Sequence, residues 1–162
     1  MFEAALIIAT LLCGLVAGLL FAFAVVAMPG IATLPDRAFL RAFQVMDRVI
    51  QNNQPLFMLA WVGSVIALVA ALVVAFVQTS GLQLWLLIAA ASVYLLGVQL
   101  PTVAINIPLN NHLQQVDVDG AGGPELARER EAFEPRWNKW NRSRATLAVT
   151  TTALLLISLA QT

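Results

Sequence analysis

The sequence predicts an all-α fold: a four-helix transmembrane bundle with an amphipathic interfacial helix between helices 1 and 2 and a helical extension before helix 4. Three observations carry this. Residues 4–35, 49–116 and 145–162 contain no Asp, Glu, Lys or Arg. The middle stretch is long enough for two crossings joined by a tight turn at 78–83, because a bilayer core takes about 20 apolar residues per helix. Hydrophobic residues make up 60% of the chain and charged residues 11%, against about 25% charged in soluble domains.

The first span is expected at about 4–28. Its start, Met1-Phe2-Glu3, lacks a basic n-region, and its apolar run exceeds that of a signal peptide. Pro29-Gly30 is expected to break it. The second span, about 55–77, has Pro55 in its first turn, where a missing N–H costs nothing. Ser80-Gly81 turns the chain into a third span at about 82–105, with a helical continuation toward Leu113. Residues 117–124, Asp-Val-Asp-Gly-Ala-Gly-Gly-Pro, form the clearest loop. A polar helix then leads, kinked at Pro135, into the fourth span at about 143–160. That span carries Thr146, Thr150, Thr151, Thr152 and Ser158, hydroxyls that bond to their own backbone or to a neighbouring helix, so it faces protein more than lipid. The whole chain, 1–162, reads as one integral membrane domain. Gly14-x-x-x-Gly18 in the first span permits close helix approach, either inside the bundle, which is the expected use, or in a homodimer.

All nine Lys and Arg lie between Arg37 and Arg144, in the 1–2 and 3–4 connections. The positive-inside rule puts both connections in the cytoplasm and both termini outside, in what is expected to be a bacterial inner (plasma) membrane. Within the first connection, Phe39, Phe43, Met46 and Ile50 fall inside an arc of about 60° on a helical wheel, with Arg37, Arg41 and Arg48 opposite. This is an amphipathic helix that caps the bundle or lies in the interface with a solvated basic face.

Several chemistries are excluded. Net charge is zero, so nothing indicates nucleic acid. No carboxylate, Lys or Arg sits in a span core, where ion-coupled transporters keep one. No Cys-x-x-Cys supports thiol–disulfide exchange. One His, one membrane-buried Cys and no Glu-x-x-His leave no usual set of metal ligands. No metal and no cofactor are expected.

What remains is a polar constellation at the cytoplasmic mouth. With the third helix continued past its prolines, Gln99, Asn106 and Asn110 share a face. On the fourth, Trp137, Trp140, Asn141 and Arg144 fall within an arc of about 100°. Amides and a guanidinium can stabilise an oxyanion, and indoles can sandwich a flat apolar ligand. The competing reading is structural: interfaces select Trp and Arg, and buried Asn ties helices together. His112, Glu134 and Asp117 are the titrating candidates for a base near the mouth.

The chain resembles the anthrone oxygenase-like family of small four-span membrane proteins. The resemblance is carried by 17–23 (Ala-Gly-Leu-Leu-Phe-Ala-Phe), Met28-Pro29-Gly30, the helix over 39–52, Asn106-Ile107-Pro108-Leu109-Asn110, and 133–144 with its Trp140-Asn141-x-x-Arg144 element. It covers nearly the whole chain. Some members place His after the Trp-Asn pair, where this chain has Arg142. The resemblance implies oxidation by dioxygen of a flat, weakly acidic aromatic such as an anthrone, without bound metal. The substrate anion is assigned to Asn106, Asn110, Asn141 and Arg144, and stacking to Trp137 and Trp140. The alternative is a non-catalytic membrane scaffold or a binder of small hydrophobic ligands.

Overall fold

The computed structural model describes residues 1–161, and no strand occurs among them. Five helices make up the chain: α1 (Phe2–Ala32), α2 (Asp36–Gln51), α3 (Pro55–Gln78), α4 (Gly81–Gln115) and α5 (Gly123–Leu159). α1 packs against α3 and α5, and α4 packs against α5 and α3, so the four long helices form a ring. α2 lies across one end, against α5 and the last part of α4.

Three π-helical turns explain how prolines pass through the long helices. They span Phe23–Ala27 in α1, and Leu95–Gln99 and Thr102–Asn106 in α4. Each ends two residues before a proline: Pro29, Pro101 or Pro108. In each, the residue ahead of the proline donates its N–H to the carbonyl five residues back: Met28 to Phe23, Leu100 to Leu95, Ile107 to Thr102. A helical proline has no N–H to give and presses on the carbonyl four residues back. A locally wider turn absorbs both problems without ending the helix. The expected break at Pro29-Gly30 is therefore corrected: α1 continues to Ala32. Likewise α4 runs unbroken beyond 105 to Gln115. Between α3 and α4, Thr79 and Ser80 are extended. Gly81 takes φ +61°, which glycine adopts without the Cβ penalty.

Two cores form at different places. The first lies among the four long helices and uses small side chains at close contacts, such as Ala9, Ala71, Ala90 and Ala148, around Leu6, Leu68, Leu87 and Tyr94. Its outer surface is apolar too: Leu11, Val26, Leu59, Ile66, Val73, Leu96 and Val103 are all exposed. Three helices, α1, α3 and α4, are long and apolar enough to cross a membrane, and this is the surface of a membrane protein. Between helices in lipid, close packing of small residues and interhelical hydrogen bonds provide the association. Gly14 serves that packing inside the chain, since a Cβ there would stand 3.7 Å from Thr152 Cγ2 of α5, whereas Gly18 faces open space. Along α5, Thr146, Thr150, Thr151 and Thr152 donate to the carbonyls four residues back, and Thr151 is fully buried.

The second core sits under α2, where Phe39, Leu40 and Phe43 pack with Leu113, Leu126, Phe133 and Trp137. Opposite this face Arg48 is exposed, as the sequence reading expects, whereas Arg37 and Arg41 also bind the loop beside them. Arg37 donates to the carbonyls of Val118, Asp119 and Ala121, and Arg41 pairs with Asp119. That partner holds the Asp119 carboxyl below the usual carboxylate range. Together they pin the Gly-rich loop onto α2. From α5, Arg130 donates to the carbonyls of Ala32 (2.8 Å) and Leu34 (2.9 Å) and to the carboxylates of Asp36 (3.0 Å) and Glu134 (2.7 Å). Its guanidinium also lies 4.3 Å from the Phe39 ring centroid. These bonds fix α2 over the end of the helical ring, and α2 thereby roofs a cavity.

Candidate functional site

The cavity has a volume of about 320 Å³, within the range of about 300–1,000 Å³ typical of ligand sites. α2 supplies Phe43, Asp47, Ile50 and Gln51 as its roof. One wall comes from Leu19, Leu20 and Phe23 of α1, and another from Phe57, Met58 and Trp61 of α3. α4 contributes Thr102, Asn106, Ile107, Asn110 and Asn111; α5 contributes Trp137, Asn141 and Arg144. Two of the π turns, Phe23–Ala27 and Thr102–Asn106, reach these walls. π turns commonly mark functional sites because they re-aim the side chains beside them.

Trp137, Asn141 and Arg144 are spaced i, i+4, i+7 and form one buried stripe on α5. Arg144, 3% exposed, donates Nη1 to Thr102 Oγ1 (2.8 Å) and Nη2 to Asn141 Oδ1 (3.1 Å). Its Nε is buried with no partner. Asn141 donates to the carbonyl of Leu20 at 3.1 Å. Asn106 is 2% exposed, and neither its amide nitrogen nor its amide oxygen has a hydrogen-bond partner. A buried amide without partners costs about 1–3 kcal/mol for each group left unsatisfied. Such atoms beside a cavity ask for a polar partner, which a small turn of the side chain toward a water or ligand would supply.

A second polar chain crosses the roof. Trp137 Nε1 donates to Asn110 Oδ1 (2.8 Å), and Asn110 Nδ2 donates to Asp47 Oδ1 (2.8 Å). Asp47 Oδ2 accepts from Gln51 Nε2 (2.7 Å) and Gln114 Nε2 (2.9 Å). Around this chain, Trp137 makes ring contacts with Phe43 at 5.2 Å and Phe23 at 5.8 Å. Across the cavity, Phe57 stacks on Trp61 at 5.5 Å. Aromatic faces thus surround a small set of converging polar groups.

Five residues singled out from sequence, Asn106, Asn110, Trp137, Asn141 and Arg144, line this one cavity; Trp140 does not. Trp140 is half-buried and lies at the edge of that arc, about 60° from Trp137 and about 100° from Asn141. Gln99 also leaves the face it was expected to share with Asn106, because the π turn between them inserts an extra residue and shifts the phase. None of the three proposed bases reaches the site. His112 is exposed and bonded to Glu129 (2.8 Å), Glu134 is taken by Arg130, and Asp117 accepts from the backbone of Asp119 and Gly120. The acid on the wall is Asp47, which sequence reasoning missed. Its signal was legible: it follows Phe39 and Phe43 at i+4 intervals, an acidic residue on an apolar stripe. Among the described residues no three His, Cys, Asp or Glu side chains converge.

Helices of membrane type around an aromatic-lined cavity with one buried acid and one buried arginine define a membrane-type protein with a candidate cavity of small-molecule size. The family model described as anthrone oxygenase matches residues 53–154, and the chain belongs to the anthrone oxygenase family. The match spans α3, α4 and most of α5, including all five lining residues expected from sequence; α1 and α2, with Asp47, precede it. No curated protein and no solved structure matches the chain.

Proposed function

We propose that this protein is a membrane oxygenase that binds a flat, weakly acidic aromatic of the anthrone type in the roofed cavity and oxidises it with dioxygen. The observation that carries the reading is the set of partnerless buried atoms, the Asn106 amide and Arg144 Nε, on residues that line a cavity rich in apolar and aromatic side chains. An oxyanion between them would satisfy donors that the fold leaves open, and preorganised donors in a water-poor site stabilise developing charge strongly. Trp137, Phe23 and Phe43 on one side and Trp61 on the other would hold the fused rings. Family membership supports an oxygenase-like activity. The net reaction converts a ring CH₂ to C=O, with one oxygen atom entering the product and the other leaving as water.

The same reading makes residues 143–160 of α5 a fourth crossing, packed on α1 and α4 along one side and apolar at Val149, Leu156 and Ile157 on the other, within a single domain whose termini lie outside the cell. The bilayer is then the source of an apolar substrate. α3 makes no substantial contact with the Thr102–Asn106 turn or the end of α4, and a gap there would open toward lipid. Any homodimer through α1 would use the Gly18 side.

A scaffold role is favoured by one observation: the bonds Asn141 to Leu20 and Arg144 to Thr102 tie α5 to α1 and α4. Titration with a hydroxyanthraquinone separates the two. Bound as its phenolate, the chromophore shifts to the red with wild-type protein and not with Arg144→Gln. A scaffold leaves the spectrum unchanged in both.

A further inference from the structure

We propose that Asp47 is the proton acceptor of this site, taking a proton from a ring carbon of a fused-ring ketone while the charge moves to the ketone oxygen near Arg144. This rests on the reading of the cavity as a site for a weakly acidic aromatic. Asp47 is only 4% exposed and lines the cavity. It and Arg144 are the only ionisable side chains on the walls, and no ion pair joins them. Each is instead held by neutral groups: Asp47 by the amides of Gln51, Asn110 and Gln114, and Arg144 by Thr102 and Asn141. Two opposite charges kept apart in an apolar cavity forgo their mutual attraction. A ligand that gives up a proton at one point and gains negative charge at another is complementary to both.

An anthrone has that shape, because the CH₂ that ionises and the oxygen that receives the charge stand at opposite ends of the central ring. The C–H bond breaks, its proton goes to the carboxylate, and its electron pair passes through the ring to the oxygen. Dioxygen then takes the electrons of the resulting enolate. Asp47 is fit for the first step on geometric grounds. Oδ2 already accepts two hydrogen bonds and Oδ1 only one, so Oδ1 keeps a lone pair free. The three amides fix the carboxylate's orientation, as a general base requires. A path back to water also exists. Gln51, which holds Oδ2, also contacts Asn111 at 3.3 Å, and both residues line the cavity and are exposed at its rim.

The test uses purified full-length protein with anthrone as substrate and a hydroxyanthraquinone as binding probe. Asp47→Asn is expected to bind the quinone within about 3-fold of wild type and to lose turnover by about 100-fold or more, the usual size of a general-base contribution. If Asp47→Asn does not fold, Asp47→Glu decides: it keeps the carboxylate but displaces it, and turnover should fall about 10–100-fold with quinone binding retained. Turnover equal to wild type in a folded variant overturns the assignment of Asp47 while leaving the site reading intact. A wild-type protein that neither binds the quinone nor oxidises anthrone overturns both.

Discussion

The indole N–H of Trp137 donates to Oδ1 of Asn110 across 2.8 Å, and this bond agrees with the Asp47 carboxylate on which way round the Asn110 amide lies. Indole is a donor only, so the amide oxygen must face it and the NH₂ must face Asp47. A tryptophan on α5 thus orients, through α4, a carboxylate on α2.

Replacing Trp137 by Phe keeps most of the packing and removes the donor. The Asn110 amide oxygen then loses its donor and only Asp47 still holds the NH₂, which costs about 1 kcal/mol in stability and loosens the chain that ends on Asp47. We expect anthrone turnover to fall about 10-fold or more, by analogy with the cost of misplacing a reacting group, with quinone binding reduced less. Trp140→Phe, off the cavity wall, leaves turnover within about 2-fold. Equal effects of the two substitutions in an oxygen-uptake assay would refute the assigned stripe.

Arg144 and Arg142 provide a second contrast on the same helix. Arg144 is buried on the wall, whereas Arg142 is exposed. Arg144→Gln should weaken quinone binding at least 10-fold, since a hydrogen bond to a charged group is worth about 1.5–3 kcal/mol. It should also lower the melting temperature by a few degrees through the lost Thr102 bond. Arg142→Gln should change neither. Titration and melting of both variants check this, and matching impairment would place the functional face elsewhere.

Much of this site was legible in the sequence. The i, i+4, i+7 stripe of Trp137, Asn141 and Arg144 survives because α5 is regular there, and the Asn106–Asn110 pair survives because the chain turns α-helical immediately after Asn106, the last residue of its π turn. Gln99 was misplaced because a wheel cannot see a π turn, although each proline at Pro29, Pro101 and Pro108 follows one at the same interval. Asp47 was missed because α2 was read as a cap between water and membrane, so an acid on it looked solvated. The folded loop 117–122, pinned by Arg37 and Arg41, helps Arg130 and the Gln44 bonds to Leu113 and Val116 bring α2 down onto the end of α4.

Arg130 is the opposite case, a charged residue whose role is structural. Its guanidinium joins the end of α1, the start of α2 and α5 through four acceptors. Arg130→Met leaves the Ala32 and Leu34 carbonyls without this donor and should destabilise the protein by about 2–4 kcal/mol. Quinone affinity of the folded fraction should stay within about 3-fold of wild type, because Arg130 is not on the cavity wall. Urea titration and binding, measured together, distinguish this from a direct role in the site.

Orientation is open to direct labelling. The basic residues within α2 and along the first half of α5 predict, by the positive-inside rule, that this end lies in the cytoplasm. The native thiol, Cys13, is buried and gives little background. Single cysteines at Ser80 and Gly123 suit the test, as both positions are exposed and a Cβ at Gly123 meets nothing within 4 Å. A membrane-impermeant maleimide on intact cells should label Ser80→Cys and spare Gly123→Cys; the reverse pattern inverts the topology.

Oxidation of a weakly acidic fused-ring aromatic in the roofed cavity is read out by an oxygen electrode. Purified wild-type protein mixed with anthrone in detergent should consume one dioxygen per quinone formed, well above the spontaneous rate, and Arg144→Gln should return the rate to background. Oxygen uptake no faster than in protein-free detergent, from protein that melts cooperatively, would contradict the account.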